Sequence, residues 1–137
     1  MKKPFVIAID GASSTGKSTL AKGLAKALGF PHVDSGAMYR GVTLYVQQHG
    51  LIENKKVKTE TLLSQLDDIH LRFEGDTFWL NGVDVSAEIR SMQVSEAVSL
   101  VAAIPEVRTF LVAQQRIMGA NQSVVMDGRD IGTVVFP

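Results

Sequence analysis

The run Phe5-Val6-Ile7-Ala8-Ile9 is apolar at every position, so Val6 to Ile9 reads as a buried parallel strand. The period then lengthens. Leu20, Leu24 and Leu28, with Ala21 and Ala25, form one apolar face of a helix, and Lys22 and Lys26 lie off it. Gly29 and Pro31 stop that helix. A short second strand follows at His32-Val33-Asp34, which completes a β-α-β unit. Ser35-Gly36 reads as a turn into a helix from about Met38 to Gln48, closed near Gly50.

Residues 53–58 are polar and lysine-rich and read as an exposed connection, with a short helix over 59–66. Beyond it the period drops to two. Ile69, Leu71 and Phe73 alternate with polar residues, and so do Phe78 and Leu80. Turn signals fall at Glu74-Gly75-Asp76 and Asn81-Gly82. The pattern predicts a small antiparallel meander over 69–73, 77–80 and 83–85, inserted into an α/β framework. Helical spacing resumes at Val94, Ala97, Val98 and Val101. Pro105 opens another helix, with Val107, Phe110, Leu111, Gln114 and Met118 along one side and Gly119 as its stop. The apolar run Val124-Val125-Met126, entered from Ser123, predicts a last strand that ends at Asp127-Gly128-Arg129-Asp130.

The first strand and first helix are joined by Gly11-Ala12-Ser13-Ser14-Thr15-Gly16-Lys17-Ser18, the phosphate-binding pattern G-x-x-x-x-G-K-S. Strand, glycine-rich turn and helix start together point backbone N–H groups at one spot, and the helix dipole adds to the attraction for an anion. The N–H groups from Ser13 to Thr19 form the expected nest. Lys17 brings a mobile positive charge to the β- and γ-phosphates, Ser18 offers a hydroxyl to Mg²⁺, and Thr19 reaches the α-phosphate. Asp127, at a strand end, fits either a carboxylate that orients Mg²⁺ or an ordinary turn aspartate.

Composition narrows the partners. With 45% hydrophobic and 20% charged residues, the 137-residue chain has the balance of a soluble globular protein with one core. Its 14 basic and 14 acidic residues cancel, which argues against nonspecific nucleic-acid binding driven by a large positive field while leaving room for a local arginine cluster around a phosphate. There is no cysteine, so disulfides and thiolate metal sites are excluded, in keeping with a cytoplasmic location. Lys2 and Lys3 precede an apolar stretch as in a secretory leader, but that stretch stops at Asp10 and passes straight into the glycine-rich turn. No run approaches transmembrane length. His32, His49 and His70 form no recognisable ligand cluster and read as surface or packing residues, and Trp79 reads as packing for the meander.

At this point the chain resembles the bacterial cytidylate kinases, a branch of the nucleoside monophosphate kinases. Five ordered motifs carry the resemblance. They are Ile9 through Thr19, Asp34-Ser35-Gly36-Ala37-Met38-Tyr39-Arg40, Asp84-Val85-Ser86-Ala87-Glu88-Ile89-Arg90, Val101 through Arg108, and Asp127 through Pro137. Many family members carry proline where this chain has Ala12. The resemblance implies an α/β P-loop NTPase-type three-layer sandwich. Its parallel sheet is partial, with strand order 2-3-1, and it carries an inserted antiparallel β/α subdomain for the monophosphate. Residues 1–37 and 120–137 are then the P-loop core, and 38–119 the monophosphate-binding region.

The implied activity is transfer of the γ-phosphoryl group of ATP to CMP or dCMP, with Mg²⁺, by a cytoplasmic monomer that engages neither membrane nor nucleic acid polymer. The implied nucleotide cradle is Gly11, Ala12, Ser13, Ser14, Thr15, Gly16, Lys17, Ser18 and Thr19, with Ser18 and Asp127 serving the metal. Lys17, Arg40 and Arg129 are the implied catalytic cations. Ser35, Arg40 and Arg129 surround the acceptor phosphate, while Ser99, Arg108 and Asp130 read cytosine. Each has a plainer alternative: a helix cap for Ser35, a surface residue for Arg40, Ser99 and Arg108, and pairing between neighbours for Arg129 and Asp130. Family enzymes continue through further core strands and an arginine-rich lid, so the resemblance implies the N-terminal part of the enzyme, catalytically incomplete alone. Another small-molecule P-loop kinase and a noncatalytic nucleotide-binding fragment are the rival readings.

Overall fold

The computed structural model describes residues 4, 6–11, 16–75 and 77–128, with only the backbone of Lys17 and Ser18. In chain order the elements are β1 (Val6–Asp10), α1 (Lys17–Leu28), β2 (His32–Asp34), α2 (Ser35–Gln48), β3 (Ile52–Glu53), β4 (Lys56–Val57), α3 (Thr59–Gln65), β5 (Leu71–Glu74), β6 (Thr77–Leu80), β7 (Val83–Asp84), α4 (Met92–Ala102), α5 (Pro105–Asn121) and β8 (Val124–Gly128). They divide into two compact units. One takes in the described residues up to Gly36 and from Val112 onward, and the other is Ala37–Leu111.

The first unit is built on a parallel sheet of order β1-β8-β2. Numbered among the parallel strands alone, this is the expected order 2-3-1. Val6 pairs with Val124 and Asp10 with Gly128, while His32 pairs with Val125 and Asp34 with Asp127. The central strand β8 is buried at all five positions. By contrast β1, expected to be buried, is half-buried or exposed along its length, because among the described residues it has a strand neighbour on one side only.

Helix α1 covers the sheet through a narrower stripe than the leucine spacing predicts. Ala21 and Ala25 are buried against Val125, with Ile7, Ile9, Leu24 and Phe30 around them. Leu20 and Leu28 lie one residue step away and are 64% and 44% exposed. Small alanine side chains let the helix sit close to β8 and turn the flanking leucines outward. Gly29, at φ 71°, ends the helix, and its N–H donates to the carbonyls of Ala25 and Lys26.

The second unit holds the expected meander, β5-β6-β7, and a two-residue hairpin, β3-β4. The hairpin replaces the featureless connection expected over 53–58. Asn54 and Lys55 both take positive φ, 51° and 61°, which gives the backbone twist of a tight hairpin turn. In the meander, Phe78 and Leu80 point into the core at 3% exposure each, and Phe73 packs on Phe78 with ring centroids 4.9 Å apart. On the other face Arg72 lies over Trp79, 5.1 Å from the ring centroid, so the tryptophan packs the meander as expected. Asn81 and Gly82 turn β6 into β7 with φ of 49° and 81°. Ser86 closes the third strand: its Oγ accepts from the Phe78 N–H at 2.9 Å and donates to Asp84 Oδ1 at 2.7 Å. The Ser86 backbone N–H also donates to Asp84 Oδ1, at 3.0 Å, and this bond first, then the hydroxyl, holds the Asp84 carboxyl below its ordinary pKa.

Two helix boundaries differ from expectation. Helix α2 starts at Ser35 rather than near Met38, because β2 runs into it without an intervening turn. Helix α5 passes Gly119 and ends at Asn121; Gly119 is buried inside the helix. On the same helix Gln115, rather than Gln114, is the buried glutamine, 2% exposed, with no hydrogen-bond partner for its Oε1 among the described residues. Helix α4 begins where Ser91 accepts from the Val94 N–H at 3.3 Å.

Candidate functional site

In the first unit the parallel strands end together. Asp10, Asp34 and Asp127 lie at the carboxyl ends of β1, β2 and β8, the end from which α/β sheets present ligand sites. The Gly11 N–H donates to the Gly128 carbonyl at 3.1 Å, which carries the pairing one step past β1 and pins the first glycine of the loop. Ala12, Ser13, Ser14 and Thr15 lie outside the described residues, as do the side chains of Lys17 and Ser18.

Gly16 is described, and its conformation is informative. It stands before α1 in the left-handed region, φ 75° and ψ 8°, and no side chain caps the helix there. Among the described residues, a Cβ at this position would meet nothing within 4 Å. The glycine is therefore required by its dihedral angle rather than by crowding. Gly16 itself has no side chain to cap the helix, and at a helix start the first-turn N–H groups and the dipole favour an anion. Thr19 lies in that turn and is exposed.

Asp127 is fully buried, and its Oδ1 lies 2.9 Å from His32 Nε2. Nothing in the sequence pattern pairs them, since the two residues are 95 positions apart. Parallel register brings them together: His32 is level with Val125, so the imidazole reaches diagonally along β8 to Asp127. Asp127 shares the face of Val125, on which α1 packs. A buried carboxylate on that face supplies the hard oxygen donor that Mg²⁺ prefers, so Asp127 fits the metal role. Ser35 is buried at 6% exposure in the first turn of α2. Gly36 follows it, and a Cβ there would sit 3.2 Å from Asp34 Oδ1.

In the second unit Arg40 is held on two sides. One guanidinium nitrogen donates to the Ile89 carbonyl at 3.1 Å and to Ser95 Oγ at 2.9 Å. Ser95 and Ser99 are both exposed and four residues apart on α4, so they share one face, about 6 Å apart along the axis. The buried face of α4 is Val94, Ala97 and Val101. Arg108 is exposed at the start of α5, where its N–H bonds the Ile104 carbonyl at 3.3 Å. Ser99 and Arg108 thus flank the short connection between α4 and α5. Ser95 and Ile89 are contacts that motif reading missed; the α4 period alone shows Ser95 on the face of Ser99. Arg129 and Asp130 lie outside the described residues. No described helix is long and apolar enough to cross a membrane.

Comparison with known proteins bears on these residues as a set. The family model described as cytidylate kinase matches residues 7–137. A cytidylate kinase of Parabacteroides distasonis is 54% identical over 98% of this chain and 62% of its own length. Those of Porphyromonas gingivalis and Pelodictyon phaeoclathratiforme are each 48% identical, over 100% and 99% of this chain and 62% and 59% of their own lengths. The chain spans about three fifths of the length of the curated relatives it matches.

Proposed function

The chain belongs to the cytidylate kinase family, and from that premise we propose that the protein transfers the γ-phosphoryl group of ATP to CMP or dCMP, giving ADP and CDP or dCDP. The observation that carries the reading is the left-handed Gly16 at the start of α1, inside a strand–loop–helix unit that the family match spans. Chemically, an oxygen of the acceptor phosphate forms a bond to the γ-phosphorus as the bond to the β–γ bridging oxygen breaks, with the two oxygens in line. Two anions must meet for this, so the protein's task is positioning and charge neutralisation rather than supplying a nucleophile.

Residues Gly11 to Thr19 hold the ATP phosphates in this reading, with Lys17 on the β- and γ-phosphates. Ser18 and Asp127 would hold Mg²⁺, which neutralises charge on the phosphate oxygens when bound. Arg40 and Arg129 hold the acceptor phosphate together with Ser35, since a guanidinium fork matches two phosphate oxygens. For the base, Asp130 accepts from the cytosine amino group, while Ser99 and Arg108 donate to its ring acceptors. Uracil presents a carbonyl where cytosine has the amino group, so an ionised Asp130 disfavours it. Residues 38–119 serve as the monophosphate-binding region in this reading, a span that takes in most of the second unit, Ala37–Leu111. The reading extends to a monomer acting in the cytoplasm on small molecules.

ADP release by the full-length protein, measured with CMP, dCMP, UMP, AMP and shikimate as acceptors, tests this. A higher kcat/KM for CMP or dCMP than for every other acceptor is the expected result. A preference for AMP or shikimate would mark a different P-loop kinase, and nucleotide binding without turnover on any acceptor a noncatalytic protein.

A further inference from the structure

His32 belongs to none of the motifs that define the nucleotide cradle, yet it touches a carboxylate at the carboxyl end of the central strand. Its Nε2 is 2.9 Å from Asp127 Oδ1, and the side chains are 12% and 0% exposed. A carboxylate with no exposed surface is held in one rotation by whatever hydrogen-bonds it, and a histidine on the neighbouring strand is a rigid donor. Both residues stand on backbone fixed by parallel pairing, from His32 with Val125 to Asp34 with Asp127. The contact is therefore preorganised by the sheet rather than by a loop.

We infer that His32 is a positioning residue for the metal-bearing nucleotide: it donates its Nε2–H to Asp127 Oδ1 and sets the rotation of that carboxylate, and with it the oxygen presented toward Mg²⁺. The inference rests on the proposed role of Asp127. The imidazole does not touch the nucleotide in this account. It acts through the carboxylate, as outer hydrogen-bond partners of metal-binding groups do, and such partners typically change metal affinity or activity by about 10- to 100-fold when lost. Packing alone makes a different demand: it asks for the volume of the imidazole and is indifferent to its N–H.

The test uses the full-length protein with His32→Leu, His32→Gln and Asp127→Asn. Calorimetric titration gives ATP affinity with Mg²⁺ present and with Mg²⁺ chelated, and thermal unfolding gives stability. Asp127→Asn is expected to raise the Mg²⁺ concentration needed for half-maximal nucleotide binding. His32→Leu should raise it by roughly 10-fold while metal-free ATP affinity stays within twofold. His32→Gln, whose amide N–H can occupy the place of Nε2–H, should recover most of the loss. A metal midpoint unchanged in His32→Leu but shifted in Asp127→Asn overturns the inference and leaves the role of Asp127 standing. So does a result in which Gln fails to rescue although the variant unfolds at the parent temperature. An unshifted midpoint in Asp127→Asn removes both roles, while the acceptor preference separately decides the reaction.

Discussion

The two units of this chain build their sites from different materials. In the first, the groups proposed to face an anion are backbone: a left-handed Gly16 at the start of α1, and Gly11 held by its bond to Gly128. In the second, the corresponding groups are side chains spread over three helices, Arg40 on α2, Ser95 and Ser99 on α4, and Arg108 on α5. Backbone donors are placed once strand, turn and helix form. Side-chain donors are placed only if helices pack in register. A site of the first kind is therefore sensitive to dihedral angles and a few charges, and one of the second kind to packing.

Three substitutions probe that contrast. The largest effect is expected for Lys17→Ala, the one side-chain charge the backbone cradle needs. By analogy with removing a single donor from a developing charge, kcat should fall by about 10²–10³-fold with little change in unfolding temperature. A comparable loss of stability would mean that Lys17 supports the fold instead. Next comes Arg40→Ala, which removes a charge-assisted contact worth roughly 1.5–3 kcal/mol, so KM for CMP should rise by about 10- to 100-fold. KM for ATP should hold. An equal rise for both nucleotides would erase the division of labour between the units.

The smallest effect, and the one that isolates packing, is expected for Gly41→Ala. A Cβ there would stand 2.8 Å from Phe78 Cε2 and 3.1 Å from Leu71 Cδ2, and Phe78 is 3% exposed. Overpacking of this kind costs about 1–3 kcal/mol, and the better helix propensity of alanine returns about 1 kcal/mol. A net destabilisation of about 1 kcal/mol is expected by chemical denaturation. A stabilised variant would show that α2 is not closely held against the meander.

Much of the first unit was legible in the chain order. The loop pattern, the apolar strands and the strand order are local or nearly so, and the fold has the expected parallel sheet. The fine placement was not legible. Leu20 and Leu28 look as apolar as Leu24, and only the close seat of Ala21 and Ala25 on Val125 turns them outward. The hairpin at Ile52–Val57 hid behind polar residues, because its turn takes positive φ at Asn54 and Lys55 with no glycine to announce it. The two ends of α2 and α5 shifted for a similar reason: Ser35 and Gly119 are poor helix formers in isolation, and tertiary burial overrides propensity.

What the sequence determined by itself follows from contiguous residues: a G-x-x-x-x-G-K-S turn between a strand and a helix, and a meander marked by alternation and Asn-Gly. Those signals survive because periodicity and turn chemistry are properties of a few neighbouring residues. The tertiary structure alone decided which distant side chains meet, above all His32 with Asp127 and Arg40 with Ser95. Such contacts depend on strand register and helix packing, where a shift of one residue turns a side chain to the opposite face.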